Sequence, residues 1–168
     1  MYIGATFASV LYWLIKYIQL PTLIKCCERN EPQRVKECLS YGDDVNEVED
    51  GWTAALLASS LGHTECVRIL AETGRVDWNK GDRYGKTPLY YALYDGHSDI
   101  VDIIVQQPNI DYNVKAEDGD TLAQAAVWGG NVKCVETLTA QESFDCWNVP
   151  DWPDSHKSPC PEYQHPQS

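Results

Sequence analysis

The middle of the chain alternates short apolar stretches with polar turns, and its apolar residues recur at the spacing of an α-helix. In one such stretch Thr87 suits the start of a helix, and Pro88 fits the first turn, where no amide donor is needed. Gly96 suits the end of this helix and Ser98 the start of a second one. We therefore predict two short helices whose apolar faces are formed by Leu89, Tyr91 and Ala92 and by Ile100, Val101, Ile103, Ile104 and Val105.

This two-helix unit recurs with a period of 34 residues. The same spacing separates glycines and, two residues later, threonines, at Gly51, Gly85 and Gly119 and at Thr53, Thr87 and Thr121. Asp-aromatic-Asn runs at 77–79 and 111–113 share it, as do Gly-His pairs at 62–63 and 96–97. Gly129-Gly130 lies one residue off this register. Self-similarity of this length predicts stacked helical units.

The unit resembles the ankyrin repeat. Segment 85–105, GKTPLYYALYDGHSDIVDIIV, follows the family's G-x-T-P-L-H-x-A-A-x-x-G-H pattern. Segment 51–70 matches it with Ala54 at the usual proline. In segment 119–138, Leu122 replaces the proline and Gly130 replaces the histidine.

The first unit is degenerate, with Cys26-Cys27 in the place of the alanine pair, and spans 31 residues from Thr22 to Thr53 instead of 34. We therefore expect a shorter loop there and a displaced first finger. The resemblance implies an all-α ankyrin-repeat solenoid over residues 21–148. It has about four helix-turn-helix units joined by short β-hairpin-like loops, at 21–50, 51–84, 85–118 and 119–148.

Some residues are expected to have structural roles in this solenoid. The resemblance implies that His63 and His97 bond the backbone of neighbouring repeats. Tyr90 replaces a third such histidine, so the hydrogen bonds there must differ. Trp78 and Tyr112 stand at the valine of the family's D-V-N run, where we expect them to pack in the core.

The N-terminal segment, residues 1–20, carries one charge, at Lys16. Its apolar residues lie on one helical face, formed by Phe7, Val10, Leu11, Leu14, Ile15 and Ile18. This pattern favours a helix that covers the open end of the first repeat. The stretch is also long enough to span a bilayer, so a membrane anchor stays open, as does an incidental extension. It lacks the basic start and cleavage site of a secretory signal.

The C-terminal segment, residues 149–168, contains Pro150, Pro153, Pro159, Pro161 and Pro166 among polar residues. Its apolar surface is too sparse to offset the entropy of ordering, so we predict a disordered tail.

Composition narrows the compartment and the partners. Seven cysteines, an odd number without a CxxC pair, favour reduced core thiols and a reducing, cytoplasmic location. The net charge of −12 disfavours nucleic acid as a partner, because acidic surfaces repel phosphates.

The chain has no motif for nucleophilic catalysis, zinc, calcium, phosphate-loop or dinucleotide binding. We therefore expect no catalytic residue, no cofactor and no metal. Asp43, Asp44 and the acids of 47–50 are interpreted as solvated loop charges.

Partners of ankyrin repeats meet the finger tips and the exposed face of the first helix. Carried over to this sequence, the tips contribute Glu49, Asp50, Trp52, Arg83, Tyr84, Lys86, Glu117, Asp118 and Asp120. The first helices contribute Ser60, Leu61, Tyr94, Asp95, Val127 and Trp128. Four of these residues are aromatic and would serve as interface anchors, unless each packs on its neighbouring finger.

Charge along the repeats is uneven. Residues 87–120 carry seven acids and one base, and residues 21–52 carry eight acids and four bases, whereas residues 53–86 have four acids and five bases. The second finger, residues 80–86, is thus a basic island between acidic flanks. We expect a protein partner with a basic segment and one acidic contact in the middle.

The resemblance implies a non-catalytic scaffold or adaptor that binds a protein on its concave surface. Two alternatives stay open. One is an ankyrin adaptor that is anchored in a membrane through residues 1–20, and the other is a fragment of a longer protein with a separate catalytic domain.

Deleting residues 1–20 distinguishes a helix that covers the first repeat from a membrane anchor. If this segment covers the first repeat, the intact and the shortened chain both stay in the supernatant after centrifugation of a cell lysate, and the shortened chain melts at a lower temperature. Fractionation and thermal unfolding measure this. Pelleting that is lost on truncation would instead support the anchor.

Overall fold

The structure, a computed structural model, describes residues 21–144. Within that span eight α-helices form four consecutive hairpins. The helices are α1 (Leu23–Glu28), α2 (Pro32–Ser40), α3 (Ala54–Ser60), α4 (Thr64–Glu72), α5 (Pro88–Tyr94), α6 (Ser98–Ile104), α7 (Leu122–Gly129) and α8 (Val132–Thr139). None of them has the length and apolar character needed to cross a bilayer. The predictions for residues 1–20 and 149–168 lie outside the described residues.

The first helix of every unit begins at a threonine cap. The side chains of Thr22, Thr53, Thr87 and Thr121 each accept a hydrogen bond from the backbone N–H three residues later. This satisfies a donor that the first helical turn leaves without a partner. The helix starts predicted from the threonine spacing are therefore confirmed.

The turn between the two helices of each unit needs one residue with a left-handed backbone. Gly62, Gly96 and Gly130 have φ of 74°, 73° and 64° there, and Asn30 takes the same place in the first unit with φ of 55°. Gly130 is thus the counterpart of Gly96, and the 34-residue register continues unbroken. The prediction that Gly130 replaces a histidine, one residue off register, was wrong, because Asn131 stands at the histidine position.

The units stack by like helices. Consecutive first helices (α1, α3, α5, α7) pack together, and so do consecutive second helices (α2, α4, α6, α8). Small residues let the first helices approach closely, among them the buried alanines Ala54, Ala55, Ala58, Ala92, Ala125 and Ala126. Each unit therefore covers the apolar face of the next one.

Side chains from the loops complete the core. Trp78 and Tyr112 are 6% and 7% exposed, which confirms their predicted place in the core. Ile103 and Val105, predicted to be buried, are only partly so. Among the described residues, Cys26, Cys27, Cys38, Cys66 and Cys134 are buried free thiols, in agreement with the reduced core thiols that the sequence favours. Burial raises the pKa of Cys38 to about 12, so this thiol stays protonated at neutral pH.

The loops between units are hairpin-like fingers. Isolated antiparallel bridges join Glu49 to Trp52 and Lys115 to Thr121, and the N–H of Asp82 donates to the carbonyl of Lys86 at 3.1 Å. No longer strand forms between residues 21 and 144. The predicted fold class, an all-α solenoid with hairpin-like loops, is confirmed.

The first unit is shortened at three places instead of one. Its second helix starts nine residues after its first, against ten in the other units. The Asp-x-Asn run of this unit is residues 44–46. The interval from the start of the second helix to this run is also one residue shorter than in the next two units, and so is the interval from the run to the next threonine cap. The predicted shortening of the loop therefore accounts for only part of the deficit, which is spread over the unit.

Polar side chains also link the units. His63 Nδ1 donates to the Cys27 carbonyl at 2.7 Å, and His97 Nε2 donates to the Ser60 carbonyl at 3.2 Å, as the resemblance implied. Asn131 Nδ2 donates to the carbonyl of Gly96 at 2.8 Å and so performs the histidine's task in the fourth unit. A single amide therefore also links the units here, through a carbonyl two residues beyond the counterpart of the one that His97 bonds.

A second ladder joins the ends of the Asp-x-Asn runs. Asn46 Nδ2 donates to the carbonyl of Arg75 at 2.9 Å and its Oδ1 accepts from the N–H of Asp77 at 2.8 Å. Asn79 repeats both bonds with Asn109 and Asp111. This ladder fixes the spacing of neighbouring fingers, on which the groove between them depends.

Gly129 generates a stability prediction, because a Cβ there would collide with the backbone oxygens of Leu93 and Tyr94. We expect Gly129→Ala to lower the free energy of unfolding by about 2 kcal/mol through overpacking. Gly130→Asn is the adjacent control. It keeps a left-handed backbone that asparagine tolerates, in open space, and should change stability by less than about 0.5 kcal/mol. Urea unfolding measures both, and equal stability of Gly129→Ala and the parent would contradict the close approach of α5 and α7.

Candidate partner-binding groove

A pocket lies between the second and third fingers and helices α5 and α7. Its volume is about 660 Å³. Two kinds of side chain line it, aromatic rings and a charged cluster, namely Tyr84, Lys86, Tyr90, Tyr91, Tyr94, Asp120 and Trp128. Five of these seven were predicted as partner-binding residues, and the structure brings those five together.

Four aromatic rings of the pocket, those of Tyr90, Tyr91, Tyr94 and Trp128, form one continuous cluster. Tyr90 and Tyr94 stack with centroids 6.1 Å apart and planes 9° apart. Trp128 meets Tyr94 edge-on at 6.3 Å and 81°, across the boundary between the third and fourth units. Tyr84, Tyr94 and Trp128 are 49%, 48% and 54% exposed, so each keeps open surface for a ligand.

The floor of the pocket is charged. Lys86 Nζ lies 2.9 Å from Asp118 Oδ2, 3.3 Å from Asp120 Oδ2 and 4.9 Å from the centroid of Tyr90. The Tyr90 hydroxyl donates to Asp120 at 3.0 Å. Lys86 is therefore held by two carboxylates and a ring, and its ammonium is largely neutralised where it stands.

Asp82 organises the finger beside this floor. Its carboxylate accepts from the backbone N–H of Tyr84 and Lys86, each at 2.9 Å, and from the Tyr91 hydroxyl at 2.9 Å. Three bonds to one side chain fix the tip of the second finger against α5. The exposed ring of Tyr84 is thus presented by an ordered loop.

Protonation in the pocket follows from these contacts. The bond to Asp118 is the main cause that raises the pKa of Lys86, and the ammonium lowers the pKa of Asp118 in return. Burial, followed by the bond to Asp120, raises the pKa of Tyr90 to about 12. At neutral pH the phenol of Tyr90 is therefore a neutral donor beside a charged lysine.

The remaining predicted residues divide between exposed and engaged positions. Arg83 lies over the ring of Tyr84 at 5.0 Å, and Leu61 is 46% exposed. Trp52 packs on Tyr91 with ring centroids 5.2 Å apart. For this residue the structure agrees with the alternative that the aromatic side chain packs on a neighbouring unit. Asp50, Asp95, Glu117 and Asp118 are exposed, whereas Glu49, Ser60 and Val127 are partly buried.

Tyr90 and Tyr91 were missing from the predicted site. The sequence pattern places Tyr91 on an apolar helix face and Tyr90 only where the family has a histidine. Both rings line the pocket. One signal was available, since Asp120 stands 34 residues after Lys86 and so occupies the same finger position one unit further on. That spacing could have predicted the ion pair, but not the hydroxyl of Tyr90 that joins it.

The predicted basic island is weaker than its sequence indicates. Lys80 Nζ donates to the carbonyl of Asn46 at 2.9 Å, and Lys86 is paired with Asp118 and Asp120. Arg83 is exposed at the finger tip. Two of the three cations thus bond to groups of neighbouring fingers. Most of the positive charge on which the predicted acidic contact from the partner was based is therefore already paired.

In the described part of the chain, no group of three His, Cys, Asp or Glu side chains is arranged to hold a metal ion.

Lys86→Met tests the charged floor. We expect a loss of about 1 kcal/mol in the free energy of unfolding at pH 7, allowing for the partly exposed site. A lysine whose pKa is raised in the folded state stabilises the protein at pH values below its unfolded-state pKa. This contribution is lost as the pH rises through the folded-state pKa. An aspartate whose pKa is lowered in the folded state stabilises the protein at pH values above its unfolded-state pKa. This contribution is lost as the pH falls through the folded-state pKa.

The difference between parent and Lys86→Met should therefore be largest between about pH 4 and about pH 10 and shrink on either side. Urea unfolding at several pH values measures it. Lys36→Met, at an exposed residue of α2, is the control. A difference that does not change with pH would show that the ion pairs contribute nothing.

The fold and its repeats agree with a comparison to known families. A family model described as ankyrin repeats (3 copies) matches residues 23–116, which is more than half of the chain. No curated protein matches the sequence. Ankyrin repeats are generally protein–protein interaction modules and are typically not catalytic. Four capped hairpins are stacked in a row, the last three at a 34-residue period, and with this match the chain belongs to the ankyrin-repeat family.

Proposed function

We propose that this protein is a non-catalytic scaffold or adaptor that binds a protein partner on the concave side of its solenoid. The binding surface is the groove between the finger tips and the first helices, centred on the pocket of Tyr84, Tyr94 and Trp128. The observation that carries the proposal is the open surface of these three rings, each about half exposed, around one pocket.

Exposed aromatic rings favour binding because they bury a large area while losing few rotamers. Here the rings come from three neighbouring elements, the second finger, α5 and α7, which the inter-unit contacts hold in place. The rings therefore need little reorganisation to bind, which lowers the entropic cost of association.

The charge around the groove supports a partner with a basic segment. The third unit, residues 85–118, and the acids of the third finger surround the pocket, and Asp95, Glu117 and Asp118 are exposed there. Such a surface attracts a basic segment and repels nucleic acid. The buried free thiols support a reducing compartment, and we propose the cytoplasm.

Affinity capture tests the proposed surface. The full chain and the double variant Tyr84→Ala/Trp128→Ala are used as baits, and bound proteins are quantified by mass spectrometry. We expect at least one specific partner to be depleted about tenfold or more with the double variant, because both anchors are removed.

Val132→Ala is the matched control. Val132 is 70% exposed at the start of α8, in the row of second helices, outside the groove. It should leave capture unchanged. Circular dichroism should show both baits folded, and equal capture by all three baits would refute the groove.

A further inference from the structure

The pocket of Tyr84, Tyr94 and Trp128 combines open ring faces with an excess of negative charge. Asp82, Asp118 and Asp120 are bonded to groups that line it, and Lys86 is the cation among them. Asp95 is exposed and follows directly after Tyr94 at the end of α5. These four carboxylates outnumber the two cations at the pocket, Lys86 and Arg83, so the local field attracts a further positive charge.

An anionic ligand fits this pocket poorly. The ammonium of Lys86 is already held by two carboxylates, and the hydroxyls of Tyr90 and Tyr91 donate to Asp120 and Asp82. A phosphate or carboxylate entering the pocket would therefore meet donors that are already in use. Acidic side chains beside it would add repulsion.

A cation can use the rings instead. Aromatic faces attract positive charge, and tryptophan and tyrosine do so most strongly. The molecule itself shows such a pair at the mouth of the pocket, where the guanidinium of Arg83 lies 5.0 Å from the centroid of Tyr84. Tyr94 and Trp128 offer a second place with exposed ring surface, a corner of two rings set at 81°.

We propose that the corner of Tyr94 and Trp128 receives one arginine side chain from a linear segment of the protein partner, an inference that rests on the proposed function. The guanidinium lies flat on one ring and donates to the exposed carboxylate of Asp118, which lies 2.9 Å from Lys86 Nζ in the lining of the pocket.

Arginine suits the corner better than lysine for two reasons. A guanidinium is planar and weakly hydrated, so it can stack on a ring without a large desolvation cost, and its fork of donors matches carboxylates. A second ammonium would remain strongly hydrated and lacks the planar fork of donors that matches a carboxylate.

The test uses the full chain labelled with ¹⁵N and a small probe, N-acetyl-arginine-N-methylamide. The matched probes are the lysine analogue and the citrulline analogue, which has the shape of arginine without its charge. The signal followed is the indole N–H resonance of Trp128, which is assigned by its loss in Trp128→Phe.

We expect the arginine probe to shift this resonance saturably, with an affinity at least about fivefold above the lysine probe and about tenfold above the citrulline probe. Tyr94→Leu should weaken the arginine probe about fivefold while keeping Trp128 as the reporter. Val132→Ala should leave the titration unchanged.

Two results would overturn the proposal. One is the absence of a saturable shift with the arginine probe on the parent chain, and the other is an equal response to the three probes. Both are measured on the unaltered protein, so a misfolded variant cannot produce them.

Failure of this proposal can be told apart from failure of the proposed function. If the Tyr84→Ala/Trp128→Ala bait loses its partner but the arginine probe does not bind, the groove stands and the arginine assignment fails. If the probe binds but capture does not depend on the groove, the proposed function fails instead.

Discussion

The structure depends on the fact that a single two-helix unit cannot bury its own apolar face. Each hairpin is two short helices, and its core exists only where the next hairpin covers it. Close approach of the first helices is what makes this cover complete. Alanines allow it in α3, α5 and α7, and at Gly129 the backbone oxygens of Leu93 and Tyr94 lie where any side chain would stand. Polar ladders from asparagine and histidine then fix the spacing that the apolar contacts permit.

Stacking at a constant period brings together residues that are one repeat apart. Lys86 meets Asp120, and Tyr94 meets Trp128, each pair separated by 34 positions in the sequence. Neither pair could form inside one unit. The groove is therefore a property of the array, and its geometry follows from the contacts between units. This is why rings that are half exposed can still be held in a defined arrangement, with α5 and α7 as their rigid support.

The replacement of the family's histidine by Tyr90 changes the chemistry of this groove. Its ring stacks on Tyr94 and supports the ammonium of Lys86, while its hydroxyl donates to Asp120 across the unit boundary. One substitution thus links the aromatic cluster to the charged floor. Lys80 and Lys86 of the second finger bond to neighbouring fingers.

The sequence by itself determined the helices, their caps and their period, because a threonine cap and a left-handed turn residue are local requirements of the backbone. It also indicated most of the groove, since finger and helix positions recur with the repeat. Matching residue types to the family pattern failed where a different residue makes a similar contact, as Asn131 does at the position of a histidine. Only the tertiary structure decided which charges are neutralised and which rings stay open, because both depend on distances between side chains about one repeat apart, which composition and spacing do not contain.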